Sequence, residues 1–259
     1  SQYYPVLILL IVVVMFFFVG QKPKGSGNAQ ELTLDQFIAM LDADDWCYRG
    51  RLERQVRFLA SHPDVAVVST GMAIVDGDND LKGVRICGSR GPGRLVREPW
   101  KKLGMPPLAF APSMIRAAVA MRFSFNPEFR VAQDVDFLLR VLQGRCWTVL
   151  PEVLYSYAEY ESVTPNKVLA ALRNTRRMFL GYRAEFPIAS RVNALKAVAK
   201  GQIYRGLVAV GLWDWAITRR SRKPTTAEQV EFAAARQAIE ATARKMFGAS
   251  MSLAPARTK

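Results

Sequence analysis

Histidine occurs once in this chain, at His62, and cysteine three times, at Cys47, Cys87 and Cys146. A zinc site built from imidazoles and thiolates needs several such residues at short spacing, and these four do not provide it. Nor do three scattered cysteines make a pairing framework, which suits a reducing compartment. A Ser-His-Asp triad would depend on His62, which stands before Pro63 at the expected end of a helix, where a surface cap is the simpler role. Acids are scarce at both ends of the chain. None precedes Glu31, and residues 161–259 hold 6 Asp/Glu against 18 Lys/Arg. The glycine-rich run Gly88-Ser89-Arg90-Gly91-Pro92-Gly93-Arg94 is followed by no Lys-Ser or Lys-Thr pair, so a P-loop is excluded. That run reads as a basic loop able to touch phosphate, or as a plain linker.

What the chain does hold is a crowd of carboxylates. Asp42, Asp44 and Asp45 fall within four residues, directly after the apolar run Phe37-Ile38-Ala39-Met40-Leu41. A strand ending in acids, followed by the helical spacing of Leu52, Val56 and Leu59, puts those acids at the carboxyl edge of a sheet, where open α/β folds bind ligands. Hard oxygen ligands this close suit Mg²⁺ or Mn²⁺, which in turn can hold a diphosphate. The competing reading is that Asp44 or Asp45 caps the helix. Three acids exceed what a cap requires, because their repulsion is uncompensated without a cation. A second acid, Asp134, lies at a helix start, since Val135, Leu138, Leu139 and Leu142 share one face. It is a base candidate or a plain cap.

Half the residues are hydrophobic and the formal net charge is +14. A chain of 259 residues suits one domain plus an extension. Residues 1–160 are nearly balanced, so the basicity belongs to the last third, which reads as helical and amphipathic. There the apolar stretch 194–218 carries Trp213 and Trp215 and ends in Arg219-Arg220-Ser221-Arg222-Lys223. Such a surface suits anionic lipid, with nucleic acid and plain solvation as rival uses of the charge. The uninterrupted apolar run Val6–Val19 is followed by Lys22 and Lys24. It is expected to be a short membrane anchor, the alternatives being a buried strand or a rearranged start of the chain. Val65–Thr70 and Met72–Val75 are expected as neighbouring strands, with a turn at Asp76-Gly77-Asp78-Asn79-Asp80; that cluster lacks the downstream Glu of a calcium loop. Thr226 and Gln229 suggest a capping box at the last helix. Trp46, beside the acids, shields a ligand or belongs to the core.

From about residue 27 to residue 164 the chain resembles the family 2 glycosyltransferases of GT-A fold. The resemblance rests on Phe37 through Trp46, on Arg51-Leu52-Glu53-Arg54-Gln55 and on His62-Pro63-Asp64-Val65. It continues through Phe125–Arg130, Ala132-Gln133-Asp134-Val135-Asp136-Phe137, Leu150-Pro151-Glu152-Val153-Leu154-Tyr155 and Ser162-Val163-Thr164. It implies that Asp42 and Asp45 serve the donor nucleotide, that Asp44 with Asp42 holds the divalent ion, and that Asp134 is the base that deprotonates the acceptor. Gln133 stands where the family usually has Glu, and Ala111 where many relatives carry His. Tyr155-Ser156-Tyr157-Ala158-Glu159-Tyr160 lacks the Arg and His common after the last strand, groups that would help hold diphosphate. The usual nucleotide-binding opening of the family is also expected to be absent.

The expected fold is α/β, a GT-A-like mixed sheet flanked by helices with a helical basic C-terminal extension. Its divisions are a hydrophobic segment at 1–24, a core at 25–165, the extension at 166–248 and a disordered tail at 249–259. The expected function is metal-assisted transfer of a sugar from a nucleotide-sugar to a glycan or lipid-linked acceptor. It would belong to envelope or exopolysaccharide synthesis at the cytoplasmic membrane face, without nucleic acid as a partner. The alternatives are an inactive membrane-associated scaffold and, third, a nucleic-acid-binding module.

Overall fold

A computed structural model describes residues 36–88, 99–160 and 162–247. The expectations for the apolar N-terminal run and missing opening strands, for most of the loop after Gly88, and for the tail lie outside these residues. The described residues form a mixed sheet flanked by helices. Six strands, β1 (Phe37–Ala39), β2 (Trp46–Cys47), β3 (Val65–Val75), β4 (Leu81–Arg85), β5 (Met114–Arg116) and β6 (Cys146–Ala158), lie in the order β1-β5-β3-β6-β2, with β4 beside the second half of β3. β3 runs parallel to β6 and antiparallel to β4 and β5.

β3 is central because all eleven of its residues are buried, as a continuous apolar run predicts for a strand covered on both faces. The two strands expected from its sequence are one. Gly71 divides them only locally: the register against β6 shifts on either side of it. A Cβ there would stand 2.9 Å from Cγ1 of Ile86 and 3.2 Å from the Glu152 carbonyl, so the glycine lets backbone and side chains close around a bulge without ending the strand. The turn at 76–80 forms as read, with Asp76 Oδ1 accepting from the Asp78 and Asp80 amides at 3.2 and 2.9 Å. Residues 106–113 lie outside the strands, and Met114 opens β5.

Helix α1 (Arg51–Ser61) starts at Gly50 in the left-handed region (φ 87°), so no acid caps it. His62 closes the helix, its Nδ1 2.8 Å from the Phe58 carbonyl, which fits the cap role. Two polar side chains of α1 are fully buried and staple it to the sheet and to the loop before β5. Gln55 Nε2 donates to the carbonyls of Val68 and Pro112, and Gln55 Oε1 accepts from Arg51 Nε at 3.0 Å. Arg51 also donates to the carbonyls of Ala111 and Ser113.

After the short α2 (Ala117–Ala120), α3 (Gln133–Leu142) fills the other side of the core with Phe137, Leu138, Val141 and Leu142. The helices α4 (Pro165–Gly181) and α5 (Pro187–Ala209) form a hairpin beside α3, where Phe179 and Ala194 meet Leu139 and Leu103. They are followed by α6 (Trp213–Thr218) and α7 (Thr226–Phe247). The capping box of α7 sits one residue earlier than expected: Thr225 Oγ1 accepts from the Glu228 amide, and Glu228 Oε2 accepts from the Thr225 amide at 2.8 Å. Arg222 pairs with Glu228 and holds its carboxyl down at about 2. The extension is therefore not a free appendage. Phe232 of α7 packs 5.5 Å from Trp46, which also stacks on Tyr48, so Trp46 belongs to the core.

Replacing Gln55 with Leu removes the side-chain donor to the Val68 and Pro112 carbonyls and the Gln55 acceptor of Arg51 Nε. Urea unfolding of Gln55→Leu should show a loss of about 3 kcal/mol.

Candidate functional site

β1 and β2 lie at opposite edges of the sheet, so the acidic segment between them must cross its end. Tyr155 of β6 holds that crossing. Its hydroxyl accepts from the Asp42 amide at 3.1 Å and donates to Asp45 Oδ2 at 2.8 Å. Asp45 Oδ1 accepts from the Ala158 amide at 2.8 Å. The guanidinium of the buried Arg51 lies over the Tyr155 ring, 4.8 Å from its centroid, and fixes the ring from below.

The three acids separate into three roles. Asp45 has both oxygens committed to the fold and does not line the cavity described below. Burial pushes its carboxyl up to about 7, against the two donated hydrogen bonds that favour the charged form. Asp44 is exposed and also lies off that cavity. Asp42 turns into it. Its carboxyl is raised by burial first, then by the charges of Asp44 and Asp134, while Arg51 draws it back down.

The cavity has a volume of about 460 Å³, within the usual range for a small-molecule site. Asp42 and Asp134 both line it, so two segments 92 positions apart in sequence meet at one space. Asp134 occupies the first turn of α3. The cap position is Ala132, held in the left-handed region at φ 62° and making no side-chain hydrogen bond. A non-glycine residue held there costs about 1 kcal/mol or more, and such strain concentrates at functional sites. Burial raises the Asp134 carboxyl, while the amides of Val135 and Asp134 itself pull the other way. A raised carboxylate is a stronger proton acceptor, provided it stays ionised. Its neighbour Asp136 is different in kind. Arg140 neutralises it at 2.6 Å on the same helix, so Asp136 is structural.

The lining also holds cations, Arg130 among them. Arg85 of β4 and Arg220 after α6 border the cavity, both paired with the buried Glu159. Sequence reading singled out neither arginine for this site, nor Tyr155 as the anchor of the acidic segment. Arg220 sits in a basic run whose composition suggested only a surface.

No cluster of three or more His, Cys, Asp or Glu side chains disposed to hold a metal occurs among the described residues. Asp42 and its mutually repelling neighbours fit a different arrangement. Mg²⁺ is commonly bound through one or two carboxylates, with water and substrate phosphates completing the shell. The residues present suit that kind of ion, with Asp42 as the ligand within the cavity and Asp44 beside it.

The Asp45 carboxyl gives this region a pH signature. Its folded-state value of about 7 stands above the unfolded value of 3.8, so the folded state binds the extra proton. Metal-free stability should therefore fall as pH rises from about 4 to 7, relative to Asp45→Asn, which lacks that ionisation. Urea titrations of the two proteins at pH 4.5, 6 and 7.5 check the sign; a gap that is constant across the series excludes it.

Comparison with known proteins finds similarity over part of the chain. Residues 27–122 match the family model described as Glycosyl transferase family 2. The chain is 32% identical over 127 residues to "Putative glycosyltransferase EpsE" of Bacillus subtilis (strain 168), covering 48% of this chain and 43% of that protein. Among solved structures it is similar to S. aureus TarS 1–349 in complex with UDP, at 18% identity and a TM-score of 0.34, over 56% of this chain and 41% of that one. A second TarS structure gives 17% identity and a TM-score of 0.35, over 57% and 25%. The chain spans less than half the length of each of these proteins. The match over residues 27–122 takes in the acidic crossing, α1 and β3, and there the chain is similar to the family 2 glycosyltransferases.

Proposed function

We propose that this chain carries the reaction centre of a glycosyltransferase that moves a sugar from a nucleotide-sugar to a glycan or lipid-linked acceptor. The observation that carries the reading is the shared cavity of Asp42 and Asp134. Asp42, with Asp44 beside it, holds Mg²⁺ or Mn²⁺, and the ion supplies Lewis-acid stabilisation of the departing diphosphate. Asp134 accepts the proton of the acceptor hydroxyl as that oxygen attacks the sugar carbon and the bond to the diphosphate breaks. The first turn of α3 supports this role, because the helix dipole favours the charged carboxylate that burial disfavours. Asp45 serves indirectly, by pinning the segment that presents Asp42.

Asp134→Asn should lower sugar-nucleotide turnover by about 100-fold or more while leaving donor affinity nearly unchanged. Asp42→Asn should weaken binding of UDP or GDP with Mn²⁺, measured by calorimetry. Turnover that survives both changes rules out this chemistry. A wild-type protein that gives no heat with either nucleotide is instead a scaffold.

The acceptor side of the reading is an anionic membrane surface. Its support is the outer face of α5, where Ile188, Val192, Leu195 and Ile203 recur at helical spacing while exposed, Ile188 to 78% and Leu195 to 69%. Arg191, Lys196, Lys200 and Arg205 are exposed on the same helix, and the half-exposed Trp215 stacks 5.1 Å below Arg219. An apolar stripe flanked by cations and an interfacial Trp matches lipid headgroups in charge and depth. Among the described residues no helix is long and apolar enough to cross a membrane. The protein should float with vesicles containing phosphatidylserine and not with neutral ones, and Ile188→Glu/Leu195→Glu should release it. Retention of the double variant on anionic vesicles excludes α5 as the contact.

A further inference from the structure

We propose that Arg85 and Arg220 form an anion-binding wall for the donor's phosphates, which makes the C-terminal extension part of the donor site. The proposal rests on the nucleotide-sugar reading above. It starts from a backbone junction. After α6 the chain folds back on β4, and Val84 and Arg222 exchange both amide hydrogen bonds, at 2.9 and 3.0 Å. Gly83 permits this approach, since a Cβ there would stand 2.7 Å from the Ser221 Cβ. Arg85 Nε donates to the Arg220 carbonyl at 3.1 Å and Arg85 NH2 to Ser221 Oγ at 2.9 Å. The junction thus brings two guanidiniums side by side at one cavity wall.

Their charge is only half answered. Glu159 is 1% exposed, and its Oε1 accepts from Arg85 NH1 at 3.1 Å and from Arg220 NH1 at 2.8 Å. Two cations share one carboxylate, so the wall remains positive. Arg220 is 38% exposed and, like Arg85 and Glu159, borders the same cavity as Asp42 and Asp134. A diphosphate facing two carboxylates requires positive charge beyond one ion, and the guanidinium fork matches phosphate oxygens better than an ammonium does. The last strand ends at Ala158, and Tyr157-Ala158-Glu159 offers no cation of its own. Glu159 instead orients two that arrive from elsewhere in the chain.

The test is calorimetry with Mn²⁺ on the full chain, using UDP, UMP, GDP, GMP and inorganic pyrophosphate. Arg220→Gln should weaken the diphosphates and pyrophosphate about tenfold, with a clearly smaller effect on the monophosphates and little change in Tm. Arg220→Lys keeps a charge for Glu159 but loses the fork, and should show a several-fold loss of the same kind. Arg244→Gln, on the far end of α7, is the control for net charge. Undiminished diphosphate affinity in both Arg220 variants overturns the wall and leaves the donor reading standing. A wild type that binds pyrophosphate in an Arg220-dependent way but no nucleotide supports the wall and removes the donor reading. Binding of neither overturns both.

Discussion

Desolvation of acidic side chains is the constraint on which the rest of this structure depends. Asp42, Asp45 and Asp134 are all drawn partly out of water near one another, and burial is the leading cause of the raised pKa of each. Such crowding persists only where neighbouring groups make the arrangement stiff. Tyr155 is that support. Its hydroxyl ties the backbone of Asp42 to the side chain of Asp45, while Arg51 lies over its ring and is in turn anchored by Gln55 and two carbonyls. A continuous polar path thus runs from α1 through β6 to the acidic crossing.

The same electrostatics explains why the helical extension is folded onto the core. A cavity with carboxylates alone on its walls would repel any phosphate. β4 and the turn after α6 bring Arg85 and Arg220 to the same cavity, and buried Glu159 fixes their positions while leaving a net positive charge on the three groups together. The junction is made of ordinary backbone pairing, and α7 secures it through Arg222–Glu228 and the packing of Phe232 on Trp46. Loss of the extension would expose Trp46, Tyr48 and Val84 and remove one side of the cavity together. Stability and ligand chemistry are coupled here through shared residues.

Much of this organisation was legible in the residues. The extended character of the residues on both sides of Gly71 in β3, the helical spacing of α1 and α3 and the turn at 76–80 all follow from local pattern, because periodicity reports burial and short polar side chains report turns. Local pattern could not tell three aspartates apart. Asp42, Asp44 and Asp45 share one composition and one segment, and their separate roles come from Tyr155 and Ala158, more than 100 residues away. The division of β3 at Gly71 and the place of the α7 cap failed for a related reason. A glycine can mark a bulge as readily as an end, and Thr225 and Thr226 differ only in which hydroxyl faces the amide of the first turn.

By itself, then, the amino-acid order indicated the main helices and the buried run of the core, the similarity of residues 27–122 to family 2 glycosyltransferases and the two acidic segments, since each is written in contiguous residues. Only tertiary structure decided that Asp42 and Asp134 share a cavity, that Asp45 is a tie within the fold, and that Arg220 leaves a basic surface run to face those acids. The physical reason is distance along the chain. Burial and charge act through space with no regard to sequence separation, so the polarity of a wall is a property of the packed strands and helices that meet there.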